Sequence, residues 1–303
     1  MAGYCRSVRT PLLLGIVAAV GCSSSIGDPC DLDAPCGDDA VCDLSSGADP
    51  VCIDKEGDLD GDGIRNDRDF CHDRPGGRFD EDQDQVGDEC DRCPIARPPA
   101  TPDRDSDDVD SPCDPDPGTS GDQIVVFDGF NAELPAGWRM VGGWELLGGE
   151  AVVTPADPAQ LANLVAPLPL TSTHMAVLAS YRIDGVDTTA TQNVVGVIAV
   201  DRRPAGTSIV QCGGSRAAGM DSLLLESDIG ASAKPFTNVF DSDGLYRIAQ
   251  RIDNTQGACA LIADVEMGAV TANTRGEAAT EGGLVAKGAR ARFQYLLVVQ
   301  RPN

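Results

Sequence analysis

Residues 58–71 read Asp58-Leu59-Asp60-Gly61-Asp62-Gly63-Ile64-Arg65-Asn66-Asp67-Arg68-Asp69-Phe70-Cys71, and the chain repeats that spacing twice. The second unit is Asp80-Glu81-Asp82-Gln83-Asp84-Gln85-Val86-Gly87-Asp88-Glu89-Cys90-Asp91, and the third is Asp103-Arg104-Asp105-Ser106-Asp107-Asp108-Val109-Asp110-Ser111-Pro112-Cys113-Asp114. Carboxylates at loop positions 1, 3 and 5 repel one another unless a hard cation lies between them, and calcium takes about six to eight oxygens in a flexible cage. The first loop offers Asp58, Asp60, Asp62, Asn66 and Asp69 with the Ile64 carbonyl. The second offers Asp80, Asp82, Asp84, Asp88 and Asp91 with the Val86 carbonyl, and the third Asp103, Asp105, Asp107 and Asp114 with the Val109 carbonyl.

Around these loops, residues 54–117 hold almost no large apolar side chains. Such a composition cannot offset its chain entropy by apolar burial, so metal binding must drive its folding. The charge is concentrated in the same region: residues 26–117 carry 29 acidic against 8 basic side chains, whereas 118–303 carry 19 against 13, within a formal net charge of −25. That field disfavours nucleic acid and anionic lipid as direct partners, because both need Lys/Arg clusters that are missing.

Working outward, Arg6 and Arg9 precede an apolar run from Pro11 to Val20, a secretory signal too short to span a bilayer as a helix. It ends in Ala19-Val20-Gly21-Cys22 and three serines, which resembles the lipobox of bacterial lipoproteins, although Ala19 replaces the usual leucine. The resemblance implies a signal peptide over 1–21, a lipid on Cys22, and membrane attachment at the outer membrane or cell surface. Of the 12 cysteines, Cys5 leaves with the signal and Cys22 takes the lipid, so ten remain, suited to disulfides in an oxidising compartment. Residues 22–53 form a tether and a small Cys-rich module with Cys30, Cys36, Cys42 and Cys52, whose connectivity the spacing leaves open.

Beyond the ladder the pattern changes to short strands over Gln123–Phe130, Met175–Ile183, Asn193–Val200, Asp221–Glu226, Leu245–Ile252, Ala258–Ala263 and Ala291–Val299. In the last, Phe293, Tyr295, Leu297 and Val299 fall at period two and are expected on one face. With no helical period and many Gly, Pro, Asp and Asn turns, residues 118–303 read as an antiparallel β-sandwich or jelly roll, in a chain that is mainly β. Cys212 and Cys259 are expected to pair across or within its sheets.

The loops share EF-hand spacing, but cysteines and prolines replace the flanking helices, and position 12 is not Glu. Residues 54–115 instead resemble the thrombospondin type 3 repeat, with units D-x-D-x-D-G-x-x-D-x-x-D-x-C and D-x-D-x-D-G-x-G-D-x-C-D. The resemblance implies calcium as the bound cofactor, little regular secondary structure over 54–117, and sequential disulfides, Cys71 with Cys90 and Cys93 with Cys113. Only Gly63 keeps the glycine of position 6; Gln85 and Asp108 stand there in the other loops, which predicts weakened or distorted sites. The module order, Cys-rich unit, type 3 loops, then sandwich, matches the C-terminal end of thrombospondins. By that analogy the last domain is similar to a concanavalin/laminin-G-type, lectin-like sandwich, with Phe127-Asp128-Gly129-Phe130, Trp138 and Trp144 near its first strands and Phe293-Gln294-Tyr295 in its last.

Catalytic constellations are not evident, and no enzymatic activity is expected. Sandwich glycosidases need two carboxylates facing across about 5–10 Å, and Glu226-Ser227-Asp228 is followed by Ala231 where a second glutamate would stand. Gly213-Gly214-Ser215-Arg216-Ala217 lacks the last glycine of a nucleophile elbow, and His72 and His174 have no evident catalytic partner. Trp138 and Trp144 could stack on a sugar, but read better as core plugs, and Asp241-Ser242-Asp243-Gly244 reads as a hairpin turn. The sequence thus predicts a calcium-stiffened, lipid-anchored stalk presenting a sandwich to a glycan or cell-surface protein. The competing readings are an anchored polysaccharide-processing enzyme and a pure spacer.

Overall fold

The structure is a computed structural model that describes residues 25–45, 49–97, 103–203, 206–237, 239–242, 244–263, 266–276 and 278–303. The expected signal and Cys22 lie outside them. The described residues contain strands but no helix: β1 (Ala40–Asp43), β2 (Val51–Asp54), β3 (Gln123–Asp128), β4 (Arg139–Val141), β5 (Trp144–Leu146), β6 (Ala151–Val153), β7 (Ala162–Pro167), β8 (His174–Val186) and β9 (Gln192–Arg203). The series continues with β10 (Gly206–Ala217), β11 (Met220–Ser227), β12 (Gly230–Pro235), β13 (Tyr246–Asp253), β14 (Gln256–Ala263), β15 (Glu266–Asn273), β16 (Glu281–Lys287) and β17 (Ala289–Arg301). The chain divides into two compact units between Asp91 and Arg92.

In the first unit β1 and β2 pair antiparallel, and disulfides join Cys30 to Cys42, Cys36 to Cys52 and Cys71 to Cys90. Its buried apolar side chains, among the described residues, are Cys30, Cys52 and Cys71. Sulfur therefore occupies the place that aliphatic side chains fill in an ordinary core, as small disulfide-dense modules require.

The second unit is an antiparallel β-sandwich. One sheet runs β12-β11-β10-β9-β16-β7-β4, and the other β15-β14-β13-β8-β17-β6-β5, with β3 also pairing β17. Val195, Val197, Leu223, Leu225 and Leu284 of the first sheet meet Val177, Tyr181, Ile248, Leu261 and Phe293 of the second in one buried cluster. Tyr181 stacks on Tyr246 at 5.1 Å and lies 5.4 Å from Phe293. Cys212 of β10 and Cys259 of β14 join the two sheets, which settles the open choice in favour of a link across the sandwich. Beside it Gln250 Nε2 donates to the Val210 carbonyl at 2.9 Å, also from sheet to sheet.

The period-two reading of the last strand is corrected by a bulge. The register of β17 against β8 shifts between Phe293 and Tyr295. An extra residue reverses the facing of everything after it. Phe293, Leu296 and Val298 therefore enter the central core, while Tyr295, Leu297 and Val299 point to the outer face of the eight-stranded sheet. Leu297 and Val299 are buried all the same and Tyr295 half-buried, because Cys93, Ile95 and Ala96 before the third aspartate loop, and Val109 and Cys113 within it, pack over them. The Cys93–Cys113 disulfide pins that covering segment. Trp144, 9% exposed and 5.6 Å from Phe293, is in the core with Trp138 packed against it. Residues 241–244 connect β12 and β13, which belong to different sheets, so the expected hairpin is instead a crossing between layers; Asp243 lies outside the described residues.

Candidate metal centres

All three aspartate loops adopt the same backbone. The first aspartate of each accepts main-chain N–H groups: Asp58 from Gly61 and Gly63, Asp80 from Asp84 and Gln85, and Asp103 from four, most closely Ser106 (2.7 Å) and Asp108 (3.0 Å). The fifth accepts the N–H of the apolar residue two places on, Ile64 to Asp62 (2.7 Å), Val86 to Asp84 (2.7 Å) and Val109 to Asp107 (3.1 Å). Wrapping the chain this tightly needs left-handed backbone at loop positions 4 and 6. Gly61 and Gly63 supply it in the first loop, but Gln83, Gln85, Ser106 and Asp108 also take φ between 63° and 75°. The turn survives without glycine, at a conformational cost of about 1–2 kcal/mol per residue.

This backbone brings three carboxylates together in each loop. Oxygens of Asp58, Asp60 and Asp62 lie within 4.8 Å of one another, as do those of Asp80, Asp82 and Asp84 and those of Asp103, Asp105 and Asp107. Asp69 closes on the first group: burial, together with Asp60 and Asp62, raises its pKa. Burial, then Asp84 and Asp80, push Asp82 up to about 6. Asp114 is raised by burial with contributions from Asp105 and Asp107. By contrast, the N–H of Gly76 and then that of Ile64 hold Asp62 low, and the N–H of Asp108 leads the set that lowers Asp103.

These donor sets fit a hard divalent cation. Among the described residues, Asp60 Oδ2, Asp69 Oδ2 and Asp114 Oδ2 are buried and meet no hydrogen-bond donor. An anionic oxygen so placed is costly unless a positive partner supplies what water no longer does. The carboxylate oxygens are the ligand type that calcium prefers, and the thiols nearby are all in disulfides.

Other residues assigned to the loops also make contacts that hold the scaffold. Asn66 is turned to the main chain: its Oδ1 accepts from Leu59 (3.0 Å), its Nδ2 donates to the Asp54 carbonyl (2.7 Å), and its own carbonyl meets His72 Nε2 at 3.0 Å. Asp88 occupies the matching place in the second loop, accepting from Glu81 at 2.9 Å, and burial drives it up to about 7. Asp91 and Asp114 each follow a cysteine at the end of a turn, their N–H groups donating to Gly87 and Asp110. His72, without a partner in the sequence reading, is buried with Nδ1 3.2 Å from Asp43 Oδ1, its N–H donating to Ser45 Oγ at 2.9 Å.

Sequence reasoning missed Asp122. It is 2% exposed, its N–H donates to Asp107 Oδ2 at 2.8 Å, and burial raises it to about 7 with contributions from Asp114 and Asp107 and against Arg301. The signal was in the spacing: Gly121 follows Asp107 by the same interval at which Gly76 follows Asp62, and both donate to that aspartate at 3.0 Å.

No protein-family model matches the sequence, and no curated protein matches it. Solved structures do resemble it. The basic winged bean lectin with Tn-antigen gives a TM-score of 0.46 at 8% identity, covering 59% of this chain and 98% of the lectin. The CBM2 module of the Lactobacillus casei BL23 phage J-1 evolved Dit gives 0.44 at 12%, covering 60% and 97%. The Bacillus licheniformis β-glucanase gives 0.41 at 11%, covering 60% and 100%.

The sandwich has a second feature open to a ligand. A groove of about 390 Å³ lies on the outer face of the seven-stranded sheet, floored by Val194 and Ile209 and edged by Gln192, Thr207, Glu226 and Lys287. Gln211 Nε2 donates to Glu226 Oε2 at 2.8 Å within it. Asp228, also on its rim, is held by Arg275 at 2.5 Å and by Ser208 Oγ at 3.0 Å. Gly213, Gly214 and Ser215, considered above as a nucleophile turn, lie inside β10 with strands on both sides.

Proposed function

We propose that this chain is an exported calcium-binding protein whose aspartate loops, stiffened by bound ions, carry a β-sandwich that recognises a ligand at the cell surface. The observation that supports it is the threefold convergence of carboxylates on one repeated backbone, with buried oxygens that meet no hydrogen-bond donor among the described residues. Asp58, Asp60, Asp62 and Asp69 would hold the first ion, Asp80, Asp82 and Asp84 the second, and Asp103, Asp105, Asp107 and Asp114 the third. Bound calcium would neutralise the clustered charge and convert a self-repelling segment into a stiff one. Cys22 would tether the chain to the outer membrane.

For the sandwich, the groove supports recognition: amides, a hydroxyl and one carboxylate stand over an apolar floor, the mix expected of a small polar ligand site. Hydrolysis by an acid pair is less well supported, since the second acid on the rim, Asp228, is engaged by Arg275.

Calorimetric titration of the oxidised chain with calcium tests the first claim. Three equivalents binding with dissociation constants of about 0.1–1 mM are expected; no heat and no bound calcium at 10 mM would end it. A glycan array probed with wild type and Gln211→Ala tests the groove.

A further inference from the structure

We propose that Asp122 is a ligand of the third cation site, so that one ion clasps residues 103–121 onto the outer face of the eight-stranded sheet. The inference rests on the calcium reading above and adds to it a residue from outside the loop and a mechanical consequence.

Three observations carry it. Asp107 Oδ2 accepts the N–H groups of Gly121 and Asp122 at 3.0 and 2.8 Å, which draws the residue preceding β3 beneath the carboxylate cluster. Asp114 and Asp122 are 6% and 2% exposed, their carboxyl groups lie within hydrogen-bond reach of each other, and Oδ2 of each meets no N–H or hydroxyl donor among the described residues. The cation nearest Asp122 is Arg301, whose Nη1 stands 3.9 Å away while it donates to Asp116 Oδ2 at 3.0 Å and to the Thr119 carbonyl at 3.2 Å. Asp103, Asp105, Asp107, Asp114 and Asp122 thus gather five carboxyl groups, and the Arg301 guanidinium beside them is already directed to Asp116. A divalent ion among these oxygens would supply both the charge and the missing ligands.

The placement gives the ion leverage. The first two sites lie wholly within the first unit. The third joins the loop that covers Leu297 and Val299 to the strand segment beneath it, and Val109 and Cys113 of that loop, with Cys93 bonded to Cys113, rest on those two side chains. Arg251, 3.5 Å from Asp116, and Arg301 secure the far end of the same strap. Withdrawing calcium leaves five carboxylates to repel one another at the junction, which lifts the strap and opens the apolar face.

The test uses the full, oxidised chain. Titration of wild type and Asp122→Asn with calcium should show three sites in wild type and one of them weakened tenfold or more in the variant. ANS fluorescence of wild type should rise on adding EDTA, and Asp122→Asn should show that rise already in 2 mM calcium. The EDTA arm needs no variant, so it stands even if Asp122→Asn folds poorly. Three unchanged affinities in Asp122→Asn would overturn the role of Asp122 while leaving calcium binding intact. ANS fluorescence of wild type that ignores EDTA, with calcium still bound, would overturn the clasp; no calcium bound by wild type would overturn both readings.

Discussion

Calcium should stabilise the two units by very different amounts, and the difference can be worked out in advance. The first unit carries two carboxylate clusters and a core of cysteines, the second one cluster and a large aliphatic core. At 2 mM free calcium and dissociation constants of 0.1–1 mM, mass action gives about 0.7–1.8 kcal/mol per site. Two sites give the first unit about 1.3–3.6 kcal/mol. A module of its size shifts about 4–8 °C per kcal/mol, so its Tm should rise by roughly 5–30 °C. The second unit, about three times longer and with one site, should move by only about 1–7 °C. Differential scanning calorimetry of the oxidised chain in calcium and in EDTA resolves the two transitions. Equal shifts, or a first transition that stays in place while the second moves, would refute the claim that ions replace apolar burial in the first unit.

Four further outcomes are expected. Burial opposes charge on His72, but Asp43 and the Asn66 carbonyl outweigh it and raise its pKa above 6.5, while His72 and Ser45 outweigh burial to lower Asp43 below 3.8. The His72 contribution is therefore complete below 6.5 and fades as pH rises through its raised value, and that of Asp43 is complete above 3.8 and fades as pH falls through its lowered one. The stability difference between wild type and His72→Gln, followed by urea unfolding, should peak between these limits; a flat difference would contradict it. Replacing Cys212 and Cys259 by alanine opens a crosslink spanning 47 residues and should cost the sandwich about 4 kcal/mol by denaturant titration. Gly77 has φ of 78°, and a Cβ there would overlap Asp69 Oδ1 and the Cys71 backbone, so Gly77→Ala should weaken one calcium site measurably in a binding titration. Cys22→Ser should move the protein from the membrane to the soluble fraction on detergent partitioning; unchanged partitioning would speak against a lipid.

The sandwich was legible where strands carry alternating or continuous apolar residues. The runs around Met175–Ile183, Asn193–Val200 and Leu245–Ile252 became β8, β9 and β13. Strands β10 and β16 escaped, because Gly213-Gly214 and Gly282-Gly283 interrupt their apolar pattern but sit where neighbouring chain crowds the backbone. A Cβ at Gly196 or Gly283 would collide with the carbonyls of Cys212 and Leu164. Facing in β17 escaped as well, since a bulge leaves no mark in a period-two pattern. Within the loops the triads could be read from charge repulsion alone. The dual use of Asn66 by the main chain, and the arrival of Asp122 from outside, depend on how the loop ends meet, which local spacing does not encode. Nor did the absence of glycine at Gln85 and Asp108 prevent the left-handed turn, for the Asp80 and Asp103 carboxylates hold those N–H groups directly.

The sulfur-filled interior of the first unit makes its maturation conditional. While thiols stay reduced and divalent ions scarce, the few buried apolar side chains among the described residues of the first unit would not hold it in shape, and it would remain a supple, highly charged thread. A thread passes through a narrow conduit without prior unravelling. On the export and calcium binding proposed above, oxidant and mineral ions met on the far side would then harden it in place, so that rigidity is acquired only after transit.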